Sequence, residues 1–490
     1  MNQKRETNVK VVTVAVFVAT FMTAVEGTIV STAMPTIIGS LHGVSLMNWV
    51  FSIYLLMTAL STPIYGKMAD IIGRKPVFIF GLILFTIGSL LCGLSNSMEM
   101  LILSRVIQGL GAGSIQPVAF TIIADIYPIE KRARVIGLNG SAWGIAAIIA
   151  PLIGGFIVEH LSWHWVFMIN IPIGIITIFM IYYGLIENVE RKKTVVDYKG
   201  TILLVALLLS MMLGMQSLSN KSVVVPITLF AISIIALIAF IYVEKRAEDS
   251  IIPLKLFTNK TFVIQNMIAL LVSGYLIGFE AYIPTWMQGV LGLRASLGGF
   301  AVTPSSIMWI IASLWAGYLL KKMAPNRIIY ISLIFLFISA LGLVLAPITS
   351  PFWYFLLVAT VSGMGFGLTI TTTTVATQSA VPEDEIGVAT SFNTLSRMIG
   401  QTLMVSVFGI VLNQKMISGV AANDKYTMDM MNKLIDPQTA TSLPQELLPG
   451  LRKILFEGLH NIYIVGLILI ILTLVLNLME IRNKKLISDK

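Results

Sequence analysis

From Val11 to Ile38 the chain is apolar or small at every position but one, Glu26. About 20 mostly apolar residues are enough to cross a bilayer as a helix. Thirteen further stretches of this kind follow, at 47–65, 77–95, 100–124, 135–158, 164–186, 201–218, 223–243, 262–287, 298–320, 328–347, 351–378, 386–412 and 461–480. So organised, the 490 residues leave little for a water-soluble core, and only 12% of them are charged, against roughly 25% in soluble proteins. The expected fold class is an all-α polytopic membrane protein of 14 spans, because a helix satisfies its own backbone in lipid. The first apolar run exceeds the h-region of a cleavable signal, about 7–15 residues, and no A-x-A-like site follows it, so it reads as a retained span.

The basic residues orient these spans. With the N-terminus inside and the loops alternating, 24 of the 33 Lys and Arg fall on the inner side, 7 on the outer side and 2 within spans. That asymmetry places both termini in the cytoplasm and accounts for the net charge of +9 without nucleic acid. Inner segments include GKMADIIGRKP (66–76), PIEKRARV (128–135) and ENVERKKTVVDYKG (187–200). VPEDEIG (381–387) stands out on that side, with three acids and no base. Residues 413–460, polar and mixed in charge, are expected to form a long extracellular loop with room for short helices. Cys92 is the single cysteine, so no disulfide framework exists.

A weak repeat divides the chain. AGYLLKKMAPNRIIY (316–330) echoes GKMADIIGRKP: each has a glycine at a span end and then Lys and Arg in a very short inner turn. The expected units are a six-helix bundle over 1–190, a two-helix insert over 191–254 and a second six-helix bundle over 255–490. Repeats of this sort mark secondary transporters, whose substrate site lies between the halves near the bilayer midplane.

Several motifs carry a family resemblance. GKMADIIGRKP resembles the loop signature of the major facilitator superfamily, roughly G-x-x-a-D-x-x-G-R-[RK]. LILSRVIQGLGAGS (101–114) resembles its second motif, an arginine followed by Q-G-x-G. GSAWGIAAIIAPLIGG (140–155) resembles the antiporter motif, with Ala150 where glycine is usual. VEGTIVSTAMPTI (25–37) resembles the first-span motif of the fourteen-span drug:proton antiporters, with glutamate in place of aspartate. WHWVFMINIPIG (163–174) is similar to their sixth span, with His164 where arginine is more usual. The resemblance implies the major facilitator fold and proton-coupled efflux of hydrophobic and cationic drugs by alternating access. The partners implied are small-molecule drugs, protons and the lipid bilayer of the plasma membrane, with no cofactor, no resident metal and a monomeric state.

Glu26 and Glu280 are the acids placed well inside spans. A charge at the bilayer centre costs about 2.5–3.5 kcal/mol on insertion scales, so intramembrane ionisable groups mark pathways by default. A carboxyl held there can take up and release a proton or pair with a cationic drug, which would make the two compete for one site. A protonated glutamate that only hydrogen-bonds a neighbouring helix is the plainer alternative. Arg105 needs buried partners and by resemblance is linked to proton movement; a structural tether is its alternative. Arg397 raises the same question.

Gly66, Asp70, Gly73 and Arg74 form the expected inner gate. Asp70 and Arg74, four apart, can pair, although the basic residues here also satisfy plain topology. Gly144, Pro151, Gly154 and Gly155 give a small-residue hinge; ordinary close packing explains them equally on physics alone. Tyr54, Trp143, Tyr282 and Trp286 are candidate cavity-lining aromatics.

Energy from ATP has no support, because no G-x-x-x-x-G-K-[ST] stretch occurs. The resemblance of span 5 to the antiporter motif argues against an uptake symporter, while a dedicated exporter of one metabolite stays open as an alternative. An embedded enzyme or receptor is remote: the four histidines (42, 160, 164 and 460) lie at or near outer ends, His160 and His164 near Glu159 make at most a weak metal site, and no nucleophile is paired with a base.

Overall fold

The computed structural model describes residues 7–187, 198–218, 224–246, 254–382 and 385–488. Residues 188–197 of ENVERKKTVVDYKG and residues 383–384 of VPEDEIG lie outside the described residues, as does the side chain of Asp70.

The described chain is helical throughout. The first half contains α1 (Val9–Leu41), α2 (Met47–Ile72), α3 (Arg74–Gly93), α4 (Met98–Ile126), α5 (Ile129–His160), α6 (His164–Met168) and α7 (Asn170–Gly184). Two helices follow, α8 (Tyr198–Ser217) and α9 (Val224–Glu244). The second half contains α10 (Lys260–Thr285), α11 (Ala295–Leu319), α12 (Pro325–Leu345), α13 (Phe352–Gln378), α14 (Ile386–Ala421), α15 (Met428–Ile435), α16 (Pro437–Ala440) and α17 (Leu448–Ser488). Among the described residues 13 segments are long and apolar enough to cross a membrane, with α6 and α7 acting as one. The remaining expected span, 201–218, falls in α8, whose apolar part covers 199–215.

Local chemistry sets many of the ends. Asn8, Ser97 and Asn259 cap α1, α4 and α10 by accepting N–H groups of the first turn, and Glu99 adds an acid there. Pro325 opens α12, where its missing N–H is no loss. Gly73 alone separates α2 from α3. Its φ of 107° lies where only glycine is comfortable. Gly66 and Asp70 therefore stand on the last turns of α2 rather than in a loop.

Packing repeats between the halves. In the first, α1 lies on α5, and α4 lies on both α2 and α3. In the second, α10 lies on α14, and α13 lies on both α11 and α12. The halves meet along two seams, α5 with α11 and α2 with α14. Helices α8 and α9 pair with each other, and α8 also touches α2 and α14 at the edge of one seam.

The expected loop over 413–460 is shorter than the sequence implied. Residues 413–421 continue α14, and 448–460 already belong to α17. Leu451, Leu455 and Leu459 recur every fourth residue and are all buried, so one face of this extension packs. What remains, 422–447, carries the short helices α15 and α16.

Candidate functional site

Glu26 sits in the middle of α1 and is 0% exposed; Arg105 on α4 is 1% exposed. The two form an ion pair, with Arg105 Nη1 donating to Glu26 Oε1. The second carboxylate oxygen accepts from Asn170 Nδ2 at 2.8 Å. Arg105 is held on every side. Its Nη1 also donates to Gln108 Oε1 at 2.7 Å, and its Nε donates to the Val50 carbonyl at 3.1 Å. Its guanidinium lies 4.0 Å from the centre of the Tyr54 ring. Gln108 in turn donates to Ser89 Oγ at 2.8 Å, and Cys92 lies beside it. Six helices of the first half, α1, α2, α3, α4 and the α6–α7 pair, converge here. Phe167 covers the guanidinium at 5.9 Å.

This arrangement resolves the problem set by a buried charge. Removing one partner of such a pair costs about 3–5 kcal/mol, because the other charge is left without compensation. The pair is neutral as a unit, and a proton added to Glu26 would leave Arg105 as the unbalanced charge. Chemically such a cluster can exist ion-paired, as here, or with the carboxyl protonated and the arginine turned to another acceptor.

Glu280, on α10, differs. It is half-buried and has no hydrogen-bond or ion-pair partner among the described residues. Arg397 on α14 is likewise half-buried and donates to Thr394 Oγ1 at 3.2 Å, with no carboxylate partner among the described residues.

The candidate aromatics divide. Tyr54 belongs to the Arg105 cluster. Tyr282 is fully buried and donates from its hydroxyl to Asn48 on α2, tying the two halves together. Trp286 is fully buried against Phe355, Phe456 and Tyr463 inside the second half. Trp143 is 44% exposed on α5.

At the basic turns, Arg74 meets an acid at the end of α4; its expected pairing with Asp70 involves a side chain outside the described residues. Arg74 Nε lies 3.1 Å from Asp125. Glu187 accepts the backbone N–H groups of Arg74 and Lys75, at 2.7 and 3.0 Å, and so caps α3. Lys75 Nζ returns the contact, donating to the carbonyls of Tyr182 and Leu185 at 2.7 Å each. An acid on a helix N-terminus and a cation on a helix C-terminus both favour the dipole. Glu187→Ala is expected to lower the stability of the detergent-solubilised protein by about 1–2 kcal/mol, read as a fall in the midpoint of thermal unfolding; an unchanged midpoint would refute the clamp.

Of the expected hinge residues, Gly144, Pro151 and Gly155 lie on the seam with α11. Gly155 approaches the start of α11 so closely that a Cβ would lie 2.8 Å from the Ser296 nitrogen. Gly299 on α11 faces the Pro151 carbonyl, and Gly154 faces Ile29 on α1. Gly144 faces only the flexible tip of Ile310. Further ties between the halves lie at this same end, away from the basic turns. Glu159 Oε1 accepts the Ser296 N–H at 2.8 Å, and Gln288 Nε2 donates to the Thr32 carbonyl at 3.2 Å.

Fold, repeat and motifs agree with comparison to known proteins. A profile of the Major Facilitator Superfamily matches residues 16–405. This chain belongs to the major facilitator superfamily. Among similar proteins of known annotation is the multidrug transporter protein MdtP of Bacillus subtilis, 34% identical over 96% of this chain and 93% of the relative. Another is the riboflavin transporter RibZ of Clostridioides difficile, 29% identical over 84% of this chain and 91% of the relative. Among solved structures, the bacterial homolog of the human lysosomal transporter Spinster superposes with a TM-score of 0.70. It shares 17% identity and covers 98% of both chains, which speaks to the major facilitator fold. The protein is thus a multi-pass membrane transporter of small molecules and not an enzyme.

Sequence reasoning found Glu26 and Arg105 but not what surrounds them. Gln108 lies three residues beyond Arg105, about one helical turn away, and was visible on that ground. Asn170 is a lone amide in an apolar span. Ser89, Asn48 and Glu187 carried no local signal.

Proposed function

We propose that this major facilitator protein exports hydrophobic and cationic drugs across the bacterial plasma membrane in exchange for protons, as a monomer without a cofactor. The basic turns then face the cytoplasm, and the end closed by Glu159, Gln288 and Tyr282 faces outward. The observation that carries this reading is the sealed Glu26–Arg105 pair. Proton binding at Glu26 frees Arg105 and unsettles contacts shared by α1, α2, α4 and the α6–α7 pair, and so favours a second packing of the bundle. Glu280, without a partner, is suited to meet the positive charge of a drug. Each proton carried inward yields about 2.3 kcal/mol per 100 mV of membrane potential. The similarity to MdtP supports drugs as the cargo. The second reading is a dedicated exporter of one metabolite; the similarity to RibZ, a riboflavin transporter, supports a single cargo and not a direction.

The deciding measurement is transport in reconstituted vesicles with an imposed pH gradient, comparing cationic and neutral drugs. Glu280→Gln is expected to slow cationic drugs about tenfold, equivalent to 1.4 kcal/mol of lost recognition, while neutral drugs move as before. Equal rates for both classes would remove Glu280 from substrate recognition. Transport by the wild type that ignores the pH gradient would remove proton coupling altogether, and a response to a single compound would favour the dedicated exporter.

A further inference from the structure

The segment between α14 and α17 packs on the second bundle and also reaches across to α1 of the first. Asn432 Oδ1, on α15, accepts the Val44 N–H at 3.0 Å, just beyond the end of α1. Asp436, which joins α15 to α16, is 2% exposed. It sits over Gly39: a Cβ on that glycine would fall 2.6 Å from the Asp436 Cβ and 2.9 Å from its Oδ2. The notch therefore exists only because residue 39 has no side chain. Thr36 offers its hydroxyl to the carboxyl, and the Gln438 N–H reaches Oδ1 at 3.1 Å.

Charged neighbours surround this seat without neutralising it. Glu159 of α5 and Arg294 at the start of α11 line the cleft beside Asp436. Glu159 is occupied by the Ser296 N–H. On α15, Lys433 pairs with Asp429 at 2.8 Å, and Asp429 lies 3.3 Å from His42 Nδ1 at the end of α1. Asp436 forms no ion pair among the described residues.

We propose that Asp436 is a second proton-binding site whose protonated carboxyl latches the 422–447 strap into the Gly39 notch and holds the outer end of the transport path closed. This rests on the antiport reading above and on its orientation. Asp436 is almost wholly withdrawn from solvent at the edge of the cleft and has no ion pair there, so burial favours the neutral carboxyl over the ionised one. Burial accordingly pushes the Asp436 carboxyl above the usual carboxylate range, against the smaller opposing effects of the Gln438 N–H and the Thr36 hydroxyl. The sign follows by linkage. The seated carboxyl has the higher pKa, so acid stabilises the seated strap, and raising the pH through that pKa releases it. External protons thereby drive the exporter back to its outward-closed state after cargo has left.

The test places spin labels at Ser40→Cys and Thr441→Cys, both exposed positions, in a Cys92→Ala background, and measures their distance in lipid nanodiscs without drug or gradient. The ratio of short to long distances is expected to fall severalfold between pH 4 and pH 8, because the seated carboxyl has the higher pKa and loses its proton on the way. In Asp436→Asn the amide is neutral at every pH, and the ratio is expected to stay constant. Gly39→Ala fills the notch and is expected to lower the short-distance fraction at every pH, while His42→Gln is expected to keep the wild-type profile. A flat wild-type profile, an unaltered pH response in Asp436→Asn, or its loss in His42→Gln would each overturn the proposal. The readout needs no transport, so vesicles that fail to exchange protons for drug would refute the antiport reading while the latch is judged on these distances alone.

Discussion

Glu26→Gln is expected to abolish drug efflux driven by a pH gradient while the protein still reaches the membrane. Two explanations would produce that result: loss of the proton carrier, or collapse of the bundle around an uncompensated Arg105. The geometry separates them. With the carboxylate gone, Arg105 keeps Gln108, the Val50 carbonyl and the Tyr54 ring but has no counter-charge. A loss of about 3–5 kcal/mol in stability is expected, and Arg105→Gln, which strands Glu26 instead, should lose a comparable amount. The double variant Glu26→Gln/Arg105→Gln removes both charges and keeps the amide chain to Gln108 and Asn170, so its unfolding midpoint should recover most of the way. Its proton-coupled transport should not recover. If transport returned together with stability, the pair would be a tether and not a proton relay.

Gly155→Leu is expected to be the most damaging change away from the ion pair. At that position the start of α11 is in contact with α5 through its backbone, with Ser296 nitrogen and Ala295 carbonyl carbon 2.8 and 3.2 Å from where a Cβ would stand. Backbone cannot rotate aside as a side chain can. The two halves should therefore fail to close at the outer end, and transport should fall at least about tenfold, which needs only 1.4 kcal/mol against closure. Gly144→Ala meets a flexible Ile310 tip and should transport at close to the wild-type rate. Outer accessibility, read by labelling of a cysteine placed at Ser296, should rise in Gly155→Leu and not in Gly144→Ala. Normal transport by Gly155→Leu would show that this seam is not part of the gate.

How much of this was legible beforehand follows from the range of each interaction. The spans were visible because a bilayer imposes one length and one polarity on every helix that crosses it. Glu26 and Arg105 were visible for the same reason, as charges where charges are costly. Their partnership was not, because the residues lie 79 positions apart and nothing in either span specifies which faces meet. The packing of Trp286 was not legible, because an aromatic ring in a span suits both a cavity wall and a packed core, and the three aromatics around it come from distant segments. The extension of α17 into the supposed loop was missed although its leucines at 451, 455 and 459 keep helical spacing, because charged residues between them mask the stripe in a simple count of polarity. Asp436 was hidden entirely: its meaning depends on a glycine almost 400 positions away.

The clamp between Glu187 and Lys75 has a consequence for biosynthesis. Glu187 leaves the ribosome 113 positions after Arg74, a delay of roughly 6–23 s at the usual 5–20 residues per second. Throughout that interval α3 is made but its N-terminus has no cap, and Lys75 has no carbonyls to hold. Insertion of the sixth span therefore completes the third, and the first bundle becomes rigid only when its last helix arrives. A chain truncated just before Glu187 should integrate all its spans yet remain sensitive to protease at the α2–α3 turn.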